Sequence, residues 1–210
     1  MSQSNKRKEL RDPRELYAKP PFPEQQQPAP GTTDELDPPA DHGLNSYTGC
    51  SRLQGRVALI TGADSGIGRA VAVCFAKEGA DVLFAYLPEE RADAEQTIRL
   101  VQSTGRKAIP VEGDIRQKSF CRQLVERTNR EFGHLDILVN NAAFQRTYEK
   151  LEDIPEDEFD AAFRTNVYGT FFLTQAALPQ MKPGGVILNT CSIEAYTPAD
   201  SLAPYAATKA

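Results

Sequence analysis

At 210 residues the chain is long enough for one sizeable domain with its own core, plus an appendage. Its formal net charge of -5 argues against a polyanion as partner, so no nucleic acid is expected. Cys50, Cys74, Cys121 and Cys191 show no CxxC spacing and His42 and His134 have no ligand-spaced neighbours, so neither a disulfide framework nor a metal site is expected. No apolar run reaches the roughly 18 residues that cross a bilayer, and the reading is a cytoplasmic protein with no membrane partner.

Residues 1–53 hold most of the prolines, few aliphatic side chains and no sustained period. Such a stretch cannot bury enough apolar surface for a core, so it is expected to be an arm, extended or disordered on its own. Its basic start, "NKRKELR", reads as a solvated tail. Tyr17, Phe22, Leu36 and Tyr47 are the apolar points at which the arm could dock on a folded surface.

Residues 54–210 alternate short apolar runs with amphipathic ones. The runs at 56–63, 81–88, 107–114, 136–143 and 185–192 are aliphatic with little polar alternation, as strands covered on both faces should be. Helices are expected near 66–78, 89–104, 117–132 and 156–181. Gly79, Gly105 and Gly133 stand where left-handed caps would end the first three. Strand and helix alternating in this way predict an α/β fold, a doubly wound parallel sheet of the Rossmann-like kind with five strands present. In such a sheet the chemistry lies just beyond the carboxyl ends of the strands.

After the first run comes "TGADSGIGRA". Gly62, Gly66 and Gly68 would let backbone N–H groups approach a pyrophosphate at a helix N-terminus, although glycines needed only for a tight turn are the plain alternative. Beyond the second run no acid precedes Glu89 to hold a ribose 2′-hydroxyl. This favours NADP over NAD, with NAD possible, and Arg69 could add positive charge there; Glu89 and Glu90 could also swing inward. Asp114, after the third run, either accepts from an adenine amino group or caps the next helix. In "NNAA" the small residues leave room for a ribose, and the Asn140 amide could tie neighbouring strand ends. Tyr205 and Lys209, at i and i+4, share a helical face, where an ammonium would favour phenolate and suit the tyrosine to proton donation, although ordinary residues on a solvated helix are the plain alternative.

Taken in order, "TGADSGIG", Asp114, "NNAA", Asn166 in "FRTNVYG", Ser192 and "YAATK" closely resemble the short-chain dehydrogenase/reductase family from about Leu53 onward. The proline-rich arm is similar to that of its NADP-preferring aldehyde and sugar reductases, the general stress protein branch. The resemblance implies Asn166, Ser192, Tyr205 and Lys209 as catalytic residues. Tyr205 would be the general acid/base, Lys209 its pKa-lowering partner, Ser192 the holder of the substrate oxygen, and Asn166 the support of a water leading to Lys209. It implies that Gly62, Asp64, Ser65, Gly66, Ile67, Gly68, Arg69, Asp114, Ile115, Asn141, Ala142, Tyr205 and Lys209 bind NADP. The substrate would be a small aldehyde, ketone or alcohol, and the family assembles as homo-dimers or tetramers.

Ala143 replaces the family's usual glycine, and the family's last two strands are missing. From that we expect a frayed Tyr205 helix, an exposed apolar edge at the fifth strand and poor activity of the 210-residue form. The alternative is a catalytically inactive nucleotide-binding module that regulates or binds partners.

Overall fold

The computed structural model describes residues 12–15, 18–27 and 31–210; Tyr17 lies outside the described residues. Five strands form one parallel sheet: β1 Val57–Thr61, β2 Asp81–Tyr86, β3 Ala108–Glu112, β4 Ile137–Asn140 and β5 Val186–Asn189. Their order across the sheet is β3-β2-β1-β4-β5. The chain winds outward from β1 through β2 to β3, then returns to pair β4 against the other side of β1. Ala58, Leu59 and Ile60 thus stand beside Val82, Leu83 and Phe84 on one side and Ile137, Leu138 and Val139 on the other. The order reverses between β1 and β4, which places the crevice for a ligand at their carboxyl ends.

Both faces of the sheet are covered, which is why the strand sequences lack polar alternation. Leu59, Leu83 and Leu138 point to α3 (Lys118–Phe132) and α5 (Thr170–Ala177), where Leu124, Val125 and Leu173 are buried. Ala58, Ile60, Val82 and Phe84 point the other way, to Ala72 and Ala76 of α1 (Gly66–Lys77) and Ala94 and Val101 of α2 (Arg91–Gln102). Gly133, at φ +85°, ends α3 with its N–H on the Asn129 carbonyl, as its position in the sequence suggests. β5 pairs with β4 and, among the described residues, with no other strand. Its Ile187 packs on the core, while Val186 and Leu188 remain exposed.

The helix expected over 156–181 is interrupted. α4 (Glu156–Phe163) passes into a π turn, Arg164–Gly169, before α5 resumes, and Asn166 lies inside that turn. The Tyr205 segment, expected to fray, is a helix, α6 (Ala203–Lys209). Its stability comes from tertiary bonds more than from length: the Asn166 amide donates to Thr208 Oγ1 at 2.8 Å, and Lys209 Nζ to the Thr190 carbonyl at 2.9 Å.

The chain divides into two compact units, Met1–Ala40 and Asp41–Ala210, earlier than the boundary expected at 54. Within the first unit, amide side chains stand in for regular structure: Gln25 bonds both the N–H and C=O of Asp37, and Gln27 those of Thr32. Phe22 and Leu36 there are exposed. Residues 41–53 belong to the second unit and are held by polar bonds at the end of α1. Glu78, just after α1 and only 4% exposed, accepts from the backbone N–H groups of Cys50 and Arg52, both at 2.9 Å. The Arg52 guanidinium and Tyr47 hydroxyl complete its shell and hold the carboxyl well below the usual carboxylate range. The Lys77 ammonium donates to the carbonyls of Gly43, Leu44 and Tyr47. Among the described residues no helix is long and apolar enough to cross a membrane.

Leu59, fully buried at the centre of the sheet, tests this packing. Leu59→Ala should cost about 2–5 kcal/mol in urea unfolding, and a loss below about 1 kcal/mol would contradict a dry, close-packed site.

Candidate active site

The turn from β1 into α1 forms one wall of a cleft of about 710 Å³, within the range of small-molecule and cofactor sites. Gly62 adopts φ +62°, a left-handed conformation that favours glycine. Gly68 is required for another reason: a Cβ there would lie 1.9 Å from the Gly62 carbonyl oxygen and 2.7 Å from Asn141 Nδ2. The absent side chain lets the first turn of α1 press against the end of the sheet. Gly62, Asp64, Ser65, Gly66 and Ile67 consequently line the cleft, with the N-terminus of α1 facing it. Unpaired N–H groups and the positive end of a helix suit an anion such as pyrophosphate.

The neighbouring wall follows β4. Thr61 Oγ1 accepts the N–H groups of both Asn141 and Ala142 at 3.0 Å, and the Asn141 amide donates to the carbonyls of Thr61 and Gly62. Asn140 does tie strand ends, donating to Asn189 Oδ1 of β5 at 2.8 Å. Asp114 and Ile115 line the cleft from the end of β3. Asp114 does not cap the following helix: α3 starts at Lys118, and the carboxylate instead accepts from the Arg116 N–H at 2.8 Å and pairs with its guanidinium at 2.7 Å.

Tyr205, Lys209 and Thr190 close the end of the cleft beyond β5. Lys209 Nζ lies 5.6 Å from the Tyr205 ring centroid, and burial pushes the Lys209 pKa down from its ordinary value, with Cys191 opposing. Eleven of the expected residues therefore meet in one cleft, and Gly68, Arg69, Asn166 and Ser192 stand behind or beside it. Asn166 is 7% exposed and committed to protein partners: its Oδ1 accepts the Phe144 N–H, and its Nδ2 donates to the Phe144 carbonyl and to Thr208. Ser192 Oγ accepts from the Glu194 N–H at 3.2 Å.

Arg69 requires correction as a source of positive charge in the cleft. It is 1% exposed and its donors are consumed behind the turn: Nε on the Asp64 carbonyl at 2.8 Å and Thr97 Oγ1 at 3.0 Å, Nη2 on Asp93 Oδ1 at 2.7 Å, Nη1 on Gln96. Asp93 compensates its charge, and its bond to Asp64 fixes the glycine turn. In its place the structure brings in Glu90. Its Oε2 accepts the Leu87 N–H at 2.9 Å, which holds the carboxyl against the cleft wall. Burial, with Asp64 adding, pushes Glu90 up to about 7. Asp64 is itself raised by burial, and among the described residues its Oδ1 has no partner. Thr61 and Thr190 went unnoticed in the sequence because a threonine ending an apolar run looks like any β-branched strand residue.

The short chain dehydrogenase family model matches residues 56–210, and the chain belongs to that family. General stress protein 39 of Bacillus subtilis (strain 168) is 45% identical over 180 residues, 86% of this chain and 63% of that protein. NADPH-dependent aldehyde reductase 1, chloroplastic, of Arabidopsis thaliana is 39% identical over 191 residues, 89% of this chain and 66% of that one. A short chain dehydrogenase from Burkholderia cenocepacia J2315, solved in complex with NADP, superimposes with a TM-score of 0.71 at 37% identity, over 75% of this chain and 64% of that one. The chain thus spans less than two thirds of the length of each of these relatives.

Gly68→Ala tests the close approach. Overpacking there should cost about 1–3 kcal/mol, seen as a fall in Tm of roughly 2–4 °C per kcal/mol for a chain of this size; an unchanged Tm would contradict the contact.

Proposed function

We propose that the chain carries NADP(H)-dependent oxidoreduction, interconverting a small carbonyl compound and its alcohol, with aldehydes the favoured class and NAD(H) accepted in the same cleft. The observation that carries this reading is the convergence, at the point where strand order reverses, of a helix N-terminus behind a glycine turn and the Tyr205–Lys209 pair. The NADP complex of the Burkholderia relative and the aldehyde reductase name of the Arabidopsis one support it.

The residues present fit such a cofactor: the bare Cα of Gly68 lets the first turn of α1 bring its N-terminus to the cleft, and Asp64 Oδ1, without a donor among the described residues, could accept from a ribose or ring. When bound, the nicotinamide supplies the hydride in reduction or takes it up in oxidation. The backbone N–H groups of residues 65–67 would hold the cofactor's pyrophosphate, Asp114 and Ile115 would receive the adenine, and Asn141 and Ala142 the nicotinamide ribose. Ala143, with its added methyl, narrows the same wall.

Tyr205 gives its phenol proton to the substrate oxygen in reduction and takes it back in oxidation. The Lys209 ammonium, 5.6 Å from the Tyr205 ring centroid, would offset the negative charge that the phenol acquires. The bond from the Glu194 N–H uses a lone pair of Ser192, leaving its O–H to donate to the substrate oxygen. Asn166 acts as a positioning residue through Thr208, holding α6 in place.

Tyr205→Phe should lower kcat for aldehyde-dependent NADPH oxidation by about 10²–10⁴-fold, the usual weight of general acid catalysis. Stabilisation of the variant by NADPH should persist. A variant within a few fold of wild type would sink the role given to Tyr205. Stabilisation by NADPH with no turnover in either protein would favour the nucleotide-binding module instead.

A further inference from the structure

At the carboxyl end of β2 the cleft wall consists of Ala85, Tyr86 and Leu87, followed by Glu90 from the turn Pro88–Glu90. In dinucleotide folds an acid about 20 residues beyond the glycine turn meets the adenosine ribose. Here β2 ends without one, and Glu90 enters the same end of the cleft from the next turn. Its bond with the Leu87 N–H keeps it there. A second observation on the same wall points to a ligand: Asp64, 2% exposed and lining the cleft, has no donor on Oδ1 among the described residues.

The charged groups on the surrounding elements do not neutralise Glu90. Glu89 shares its turn. The cations nearby are engaged elsewhere, Arg69 of α1 with Asp93 of α2, Arg91 with Glu112 at the end of β3, and Arg116 with Asp114 just beyond it. Tyr86 contributes a phenol whose pKa burial raises. Of the two cations lining the cleft, Arg116 is paired, and Lys209 belongs to the end that Tyr205 closes.

We propose that Glu90 chooses between NAD(H) and NADP(H) by its protonation: as a carboxylate it accepts from the ribose 2′-hydroxyl and repels a 2′-phosphate, and as a carboxylic acid it donates to that phosphate. The inference rests on the dinucleotide reading above. Because burial holds Glu90 at about 7, the exchange falls near neutrality. The sign follows from the charge. Below that value the neutral acid admits NADP(H); as pH rises through it, the new negative charge weakens NADP(H) binding and strengthens NAD(H) binding.

The test is the dissociation constant of each reduced nucleotide for the whole protein, followed by fluorescence titration from about pH 5.5 to about pH 8.5, either side of the Glu90 value of about 7. In wild type the ratio Kd(NADPH)/Kd(NADH) should rise about tenfold across that range, the equivalent of one pKa unit of differential interaction. The 2′-phosphate itself titrates near pH 6, and Glu90→Gln isolates that contribution. Glutamine keeps the volume and an acceptor for the Leu87 N–H but carries no charge. Its ratio should rise far less, with NADPH the tighter ligand at the alkaline end. Glu90→Asp, which keeps the charge on a shorter stem, should retain a reduced pH dependence. A flat ratio in wild type, or the same rise in Glu90→Gln, overturns the proposal. Binding of neither nucleotide at any pH would instead overturn the dinucleotide reading on which it rests.

Discussion

The approach of α1 to the end of β1 is the constraint on which the cleft depends. No side chain fits at residue 68, because the Gly62 carbonyl occupies the space, and that same oxygen accepts a hydrogen bond from the Asn141 amide. A single backbone atom thereby limits how near the helix comes and records where the β4 loop lies. Arg69 secures the turn from behind, its Nε and the Thr97 hydroxyl both donating to the Asp64 carbonyl at 2.8 Å. A small polar network of this kind is rigid because each member depends on the others.

Among the described residues, Asn140 Oδ1 and Asp64 Oδ1 are buried without a hydrogen-bond partner, both around the ends of the strands that form the switch point. Charge around the cleft is uneven. Carboxyl groups of Asp64, Glu90 and Asp114 border the side reached from β1, β2 and β3, where Arg116 pairs with Asp114, while Lys209 supplies a cation on the side reached from β5.

Much of this was legible from the residues alone. The unbroken aliphatic runs from Val57, Val82 and Ile137 could only be strands covered on both faces, and the glycine turn, Asp114, Asn141 and the Tyr205–Lys209 pair fell at the strand ends in the order that lines one cleft. Arg69 was misread because sequence position reveals a charge but not its partner; Asp93 and Thr97 reach it from a separate helix. The π turn around Asn166 was invisible for a related reason. An extra residue in a helical turn leaves the apolar period nearly intact, and only the bonds from Asn166 to Phe144 and Thr208 reveal why the turn widens there. Composition likewise placed the domain boundary too late, since residues 41–53 look like the proline-rich arm and are held by polar bonds that leave no periodic trace.

Those polar bonds affect how the protein can be shortened. Glu78 draws its N–H donors from Cys50 and Arg52 and its hydroxyl donor from Tyr47, so the carboxylate is solvated by the chain that precedes the sheet. Trimming the arm at residue 53 would strip that solvation and leave a charge facing the exit of α1 with nothing but water to answer it, whereas trimming after Ala40 follows the division between the two compact units. Residues 41–53 serve as the strap that finishes the nucleotide fold.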